Sequence, residues 1–512
     1  MRRLTRRGFL GMTAGSGAAV TVGAAGWSRL AGASTGRVLA SAGPLPEPFG
    51  VPLPVPPVAR PARRERGADV ADVYEVEQRE GQMEILPGRR TTVWGYDGIF
   101  PGPTFAARSG RRTVLQVRNS LTVPTVTHLH GGVTPPESDG YPTDLLLPAR
   151  CSPGQMHEGH GGRTAVGYRS YEYPLPQRAA TLWYHDHRMD VSAPQVWRGL
   201  AGFFLVGDEE EDRLPLPGGE RDIPLMLCDR SFEEDGSFRY PAHGHDAFPD
   251  GVLGDVQLVN GAPWPVLEVT AARYRFRLLN ASNARRYRLR LVADGGRRGR
   301  FVRIGSDGGL LAAPRSLGSV DMAPGERCDV VVDFADFPVG SRITLGNAAA
   351  GGGMRDVMRF HVVRKGRDDS RIPACLAASF ERLVPNRTMP VRAFDFRRTH
   401  TGEDRQMWTI NGRPFSADTV LASPRLGSVE RWRFSSDFHH PVHVHLAQFQ
   451  VVARGGRAPD AGDAGWKDTV DVRPYEVVEV LARFAGYKGR YMLHCHNLEH
   501  EDMAMMANFQ VV

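Results

Sequence analysis

The stretch Asn411-Gly412-Arg413-Pro414, leading on to Val429-Glu430-Arg431-Trp432-Arg433-Phe434, reads as a glycine turn followed by an alternating strand. The unit occurs three times. Asn260-Gly261-Ala262-Pro263 leads on to Tyr274-Arg275-Phe276-Arg277-Leu278-Leu279-Asn280, and Asp97-Gly98-Ile99-Phe100-Pro101 leads on to Val114-Leu115-Gln116-Val117-Arg118-Asn119. The three glycines stand 163 and 151 residues apart, which is the spacing of domains and too long for a short-repeat solenoid. The register continues downstream. His128-Leu129-His130 follows the first turn and His443-Val444-His445 the third, and Arg288-Leu289-Arg290 takes the matching place in the middle copy. Further on, Trp183-Tyr184-His185-Asp186-His187 matches Met492-Leu493-His494-Cys495-His496, where the middle copy has Thr344-Leu345-Gly346-Asn347-Ala348. Helix-period segments are few, so the chain is expected to be all-β, with three sandwich domains of common ancestry. The expected boundaries are 68–208, 209–365 and 390–512, with a linker at 366–389.

The length of 512 residues agrees with about three domains. The net charge of +7 does not mark a polyanion binder. Residues 1–42 hold six arginines and no acid, so six of the seven net charges belong to that segment and +1 is left for the rest. Nucleic acid is therefore not an expected partner. Thr5-Arg6-Arg7-Gly8-Phe9-Leu10 forms a twin-arginine pattern ahead of an uncharged, weakly apolar run from Gly8 to Ser28. Residues 1–42 are read as an export signal with small-x-small sites ending at Ala33 and Ala42, and 43–67 as a Pro-rich lead-in. The expected location is extracellular or periplasmic. No other stretch is apolar enough to span a membrane, so stable insertion of the mature chain is not expected.

Ten of the 17 histidines lie in four short motifs: His128 and His130; His185 and His187; His440, His443 and His445; His494, His496 and His500. Residues i and i+2 of a strand share a face, so each His-x-His sets two imidazoles side by side. Four such pairs at repeat-related positions exceed the four ligands of a structural zinc site, and imidazole-rich sites suit copper. In the third repeat His440, Cys495 and His500 supply two nitrogens and a thiolate. Met505 is the expected weak axial ligand, with Met503 and Met506 as alternatives, which makes the blue electron-transfer copper set. The first repeat has Thr125, Asp186 and Val191 at the corresponding places, so one such site is expected. Cys495 stands between two histidines that point the opposite way, a short covalent path between the two centres.

These motifs resemble the multicopper oxidase family over essentially the whole mature chain. Within it, His128-Leu129-His130-Gly131-Gly132 and Ser138-Asp139-Gly140-Tyr141-Pro142 are most similar to the bacterial three-domain branch of spore-coat laccase, bilirubin oxidase and phenoxazinone synthase. The tail His500-Glu501-Asp502 also resembles the exported cuprous oxidases, without their Met-rich insert. The resemblance implies three cupredoxin-like Greek-key β-sandwiches and four copper ions. Type 1 copper would take His440, Cys495, His500 and Met505. Type 2 would take His128 and His443, and the type 3 pair His130, His185, His187, His445, His494 and His496. The implied reaction oxidises phenols, aromatic amines or related small reductants and reduces O2 to water. Electrons would enter at the exposed edge of His500 or His440. Asp139 and Glu501 resemble the acids that deliver protons. The competing readings are a metal oxidase acting on Cu(I) or Mn(II) and a non-catalytic structural relative, against which the complete ligand set argues. Oligomeric state is open.

Cys151, Cys228, Cys328 and Cys375 allow three pairings, of which Cys228 with Cys328 is the suspected one. His157 and His160, and His243 and His245, read as solvated loop histidines, and Asp208–Arg213 as a linker or solvated turn.

Overall fold

The computed structural model describes residues 35–65, 70–150, 162–241, 247–401 and 405–512. Cys151, the histidines at 157, 160, 243 and 245, and residues 1–34 of the expected signal lie outside them. Among the described residues each repeat folds into two sheets. In the first, Tyr74, Leu115 and Tyr171 from one sheet close on Phe105, Leu129, Leu182 and Phe204 from the other. The middle core joins Phe276, Leu278 and Val330 to Leu289, Ile343 and Phe360. The third joins Phe394, Trp432 and Val478 to Val442, Leu493 and Phe509. Strand alternation supplies one apolar face per sheet, and packing two such faces makes a sandwich.

The glycine turns are built alike. Asp97, Asn260 and Asn411 have φ of 58°, 50° and 55°, and the glycines after them have φ of 69°, 84° and 74°. Two successive left-handed residues make the hairpin turn that matches strand twist, and Asp-Gly and Asn-Gly are the dipeptides that tolerate it. The strand pair downstream also recurs. His128 lies opposite His185 in the first domain, Leu289 opposite Asn347 in the middle, and His443 opposite His494 in the third.

Two expectations need correction. Cys228 and Cys328 are free thiols. Both strands flank Arg273–Asn280, so two sheet spacings, about 9.6 Å, separate them. Their side chains also join different cores, one between the first and middle domains and one inside the middle domain. Such a pair cannot be bridged. Residues 35–42, assigned to the signal, are folded against the middle domain. Arg37–Val38 pairs with Val252–Leu253, Ser41 Oγ donates to Asp255 and Ala42 N donates to Phe232 O at 2.8 Å. Asp208–Arg213 leads from the first domain into the middle one, with Glu209, Asp212 and Arg213 exposed. Its short helix Glu209–Asp212 is capped by Asp208 and carries Glu211 into ion pairs with Arg275 and Arg277 of the middle domain.

Candidate metal centre

Strand period two sorts the candidate ligating side chains of the third domain. Cys495 lies opposite Val442 and His494 opposite His443. Cys495 therefore shares the core face with His440, while His443 and His494 face the first domain. There they meet His128, His130, His185 and His187, all fully buried.

At the core-side centre, His440 Nδ1 stands 3.3 Å from Cys495 Sγ, Cys495 Sγ 3.5 Å from His500 Nδ1, and His500 Nδ1 3.1 Å from His440 Nδ1. The centre of that triangle lies about 1.9 Å from each corner, close to metal–ligand bond lengths of about 2.0–2.3 Å. Burial holds the Cys495 thiol well above its ordinary pKa, so a cation is what would make it a thiolate. Met505 is buried in the same core cluster as Cys495. Its backbone bonds both partners, with Cys495 N donating to Met505 O and Met505 N to His500 O. Met506 packs instead against Tyr141 and Met492, and Met503 is only half-buried.

At the interdomain centre the fit is tested by the ring nitrogens. His128 Nε2, His130 Nδ1, His185 Nε2, His443 Nε2, His445 Nε2 and both nitrogens of His496 are buried without a hydrogen-bond partner. Orphaned polar atoms in this number are costly unless an ion satisfies them. In five of these imidazoles the other nitrogen is engaged. His128 Nδ1 donates to Asp139 O, His185 Nδ1 to Asp186 O, His443 Nδ1 to Asp468 O and His445 Nδ1 to Asp139 Oδ2. His130 uses Nε2, toward Asp468 and Thr469. Such bonds fix the tautomer and leave the free nitrogen to ligate. Burial, with repulsion from neighbouring imidazoles, depresses the pKa values of His128, His185 and His445 well below the usual value, and His187 falls to about 4 for the same reasons, although Glu501 opposes it. The rings stay neutral, as ligation requires. Donor atoms of His128, His130 and His185 lie within 4.8 Å of one another, as do those of His187, His445 and His494.

Asp139 and Glu501 are both brought to this centre. Asp139 Oδ2 is 2.7 Å from His445 Nδ1, and burial raises its pKa well above the carboxylate range. Gly140 after it has φ of +82°, and a Cβ there would meet the His128 backbone, so the turn presses flat on that strand. Glu501 lies 3.1 Å from His494 Nδ1 and 3.5 Å from His187 Nδ1, and burial raises its pKa.

The expected exposed edges are absent. His440 and His500 are both 0% exposed. Trp408 stacks on His500 with ring centres 3.9 Å apart, and Asn497 covers its Nε2. Asp437, 26% exposed, lies 3.9 Å from His440 Nε2. The sequence reading missed Trp408, Asp437, Asp468 and Arg327, none of which stands in a recognisable motif.

A nest of neutral buried imidazoles beside a two-His, one-Cys triangle defines a class: proteins that hold several redox copper ions. Multicopper oxidase family models match residues 77–151 and 163–211, and residues 387–512. A laccase of Bacillus stratosphericus is 36% identical over 91% of this chain and 99% of its own. A bilirubin oxidase of Albifimbria verrucaria is 35% identical over 90% of this chain and 81% of its own. The crystal structure of a laccase from Pediococcus acidilactici superimposes with a TM-score of 0.80 at 31% identity, covering 93% of this chain and 96% of that one. The chain belongs to the multicopper oxidase family. Its sandwiches are cupredoxin-like, and it is a copper-dependent oxidoreductase with O2 as acceptor.

Proposed function

We propose that this chain is a laccase-like oxidase that couples one-electron oxidation of phenols or aromatic amines to four-electron reduction of O2 to water. The observation that carries this reading is the pair of centres joined by Cys495, whose Sγ belongs to one while the adjoining His494 and His496 belong to the other. When bound, copper supplies the one-electron chemistry and the reduction of O2. His440, Cys495, His500 and Met505 would hold type 1 copper, and His128 and His443 type 2. His130, His185, His187, His445, His494 and His496 would hold the type 3 pair. Bonds from Cys495 Sγ through the backbone to the flanking imidazoles form the electron path. The reductant docks outside Trp408 and Asp437, since both type 1 imidazoles are covered. Asp139 and Glu501 hold protons for O2 reduction, being the two acids against the imidazole nest whose pKa values burial raises.

The chain is exported by the twin-arginine route, with cleavage after Ala33, because cleavage after Ala42 would remove the strand that pairs with Val252–Leu253. No helix among the described residues is long and apolar enough to cross a membrane.

The test is oxygen uptake by the copper-loaded protein, with a methoxyphenol, Cu(I) and Mn(II) compared as reductants. The proposal expects efficient uptake with the phenol. Uptake with Cu(I) or Mn(II) alone would replace it with the metal-oxidase reading.

A further inference from the structure

The middle domain holds none of the expected copper ligands, yet one of its side chains is built into the interdomain centre. Arg327 is fully buried, and all five of its N–H groups are engaged. Nε donates to Thr181 O in the first domain. Nη1 donates to Gly325 O in its own domain and to Asp468 Oδ1 in the third at 2.7 Å. Nη2 donates to Asp307 O and Asp468 Oδ2. One guanidinium thus ties three domains together.

Asp468 in turn meets two imidazoles. Its Oδ1 lies 3.1 Å from His130 Nε2, and its backbone oxygen accepts from His443 Nδ1 at 3.0 Å. Thr469 Oγ1 donates to Asp468 Oδ1 and lies within 3.2 Å of His443 Nδ1. The consequence is greatest for His130. His128, His185, His443 and His445 engage Nδ1 and leave Nε2 free, whereas His130 engages Nε2 and leaves Nδ1 free. An acceptor at Nε2 is what sets that inverted tautomer. Asp307 supports the fork from behind, accepting from Arg327 N at 2.7 Å and pairing with Lys467 Nζ at 2.9 Å.

We infer that Asp468 is the positioning residue for His130 and His443, and that Arg327 of the middle domain holds Asp468 in place, so the trinuclear copper site is completed by all three domains. The inference rests on the proposed function, in which those two imidazoles hold copper. An asparagine at 468 cannot reproduce the arrangement. Its NH2 would face either a guanidinium N–H or the His130 N–H, donor against donor.

The experiment compares copper-loaded wild type with Asp468→Asn, Arg327→Lys and Asp229→Asn. The last is a control, because buried Asp229 pairs with Arg285 in the same domain, away from Arg327 and Asp468. Far-UV circular dichroism checks folding. Copper per chain is followed during dialysis against a chelator, together with the blue band and the type 2 EPR signal. Asp468→Asn is expected to keep the blue band and to lose the remaining copper about 10-fold or more faster, with a shifted type 2 signal. Arg327→Lys should change in the same direction by less, and the control should match wild type in copper. If Asp468→Asn fails to fold, Arg327→Lys carries the same comparison. Wild-type copper retention with an unshifted type 2 signal would overturn the inference, as would loss of blue and cluster copper in equal proportion. A wild-type chain that binds no copper would overturn the proposed function as well.

Discussion

Asp139 touches two imidazoles of the interdomain centre. Its backbone oxygen orients His128 and its carboxylate orients His445, so imidazoles from two domains are held by one turn. Glu501 occupies the matching place beside His187 and His494. Asp139→Asn and Glu501→Gln are expected to slow O2 reduction roughly 10-fold or more, while type 1 copper is still reduced by substrate. Stopped-flow reduction followed by reoxidation checks this, and unchanged reoxidation would remove both acids from the proton path. Cys495→Ser should abolish the blue band while keeping about three coppers per chain, because the interdomain nest does not use its sulfur. Metal analysis with a visible spectrum reads that result. The His-x-His pairs were legible because strand period two turns spacing directly into side-by-side imidazoles. Asp468 and Arg327 were not, because their partners lie 338 and 141 residues away and a single Asp or Arg has no local signature. The burial of His440 and His500 was hidden for the same reason, since Trp408 arrives from a distant hairpin.

At the scale of elements, the repeat reading was sound wherever the backbone itself carries the signal. Asp-Gly and Asn-Gly demand left-handed φ, and all three turns have it. In the Asp208–Arg213 run the ion pairs of Glu211 with Arg275 and Arg277 were hidden, because charge density looks the same whether it faces water or a buried arginine. Burial would raise the Glu211 pKa, but Arg275 and Arg277 outweigh it and hold the carboxyl at about 2. A carboxyl depressed in the folded state contributes stability that is complete above its unfolded value, near 4.3, and is lost as pH falls through about 2. Glu211→Gln is therefore expected to destabilise the protein by roughly 3 kcal/mol at neutral pH. Its stability should also lack the wild-type decline between those two pH values. Thermal unfolding at several pH values checks both, and equal acid sensitivity of the two proteins would contradict the assignment. The suspected Cys228–Cys328 pair failed because two strand-like runs in one domain need not be neighbours, and here another strand lies between them.

For the whole molecule, the three sandwiches do different work. The first and third supply imidazoles, and the middle supplies the floor against which the segment 35–42 and the interdomain centre are built. The segment 35–42 belongs to that floor. Its Thr35 reaches Asn497, which covers His500. Intact mass of the exported protein is expected to place its first residue at Ser34, and a mass starting at Gly43 would refute that. In the proposed function ten imidazoles, one thiolate and one thioether form two joined copper centres. The most direct measurement is copper content and the visible spectrum of the same loaded sample. About four coppers per chain with an intense band at about 600 nm are predicted. A colourless protein that retains little copper after loading would contradict the account.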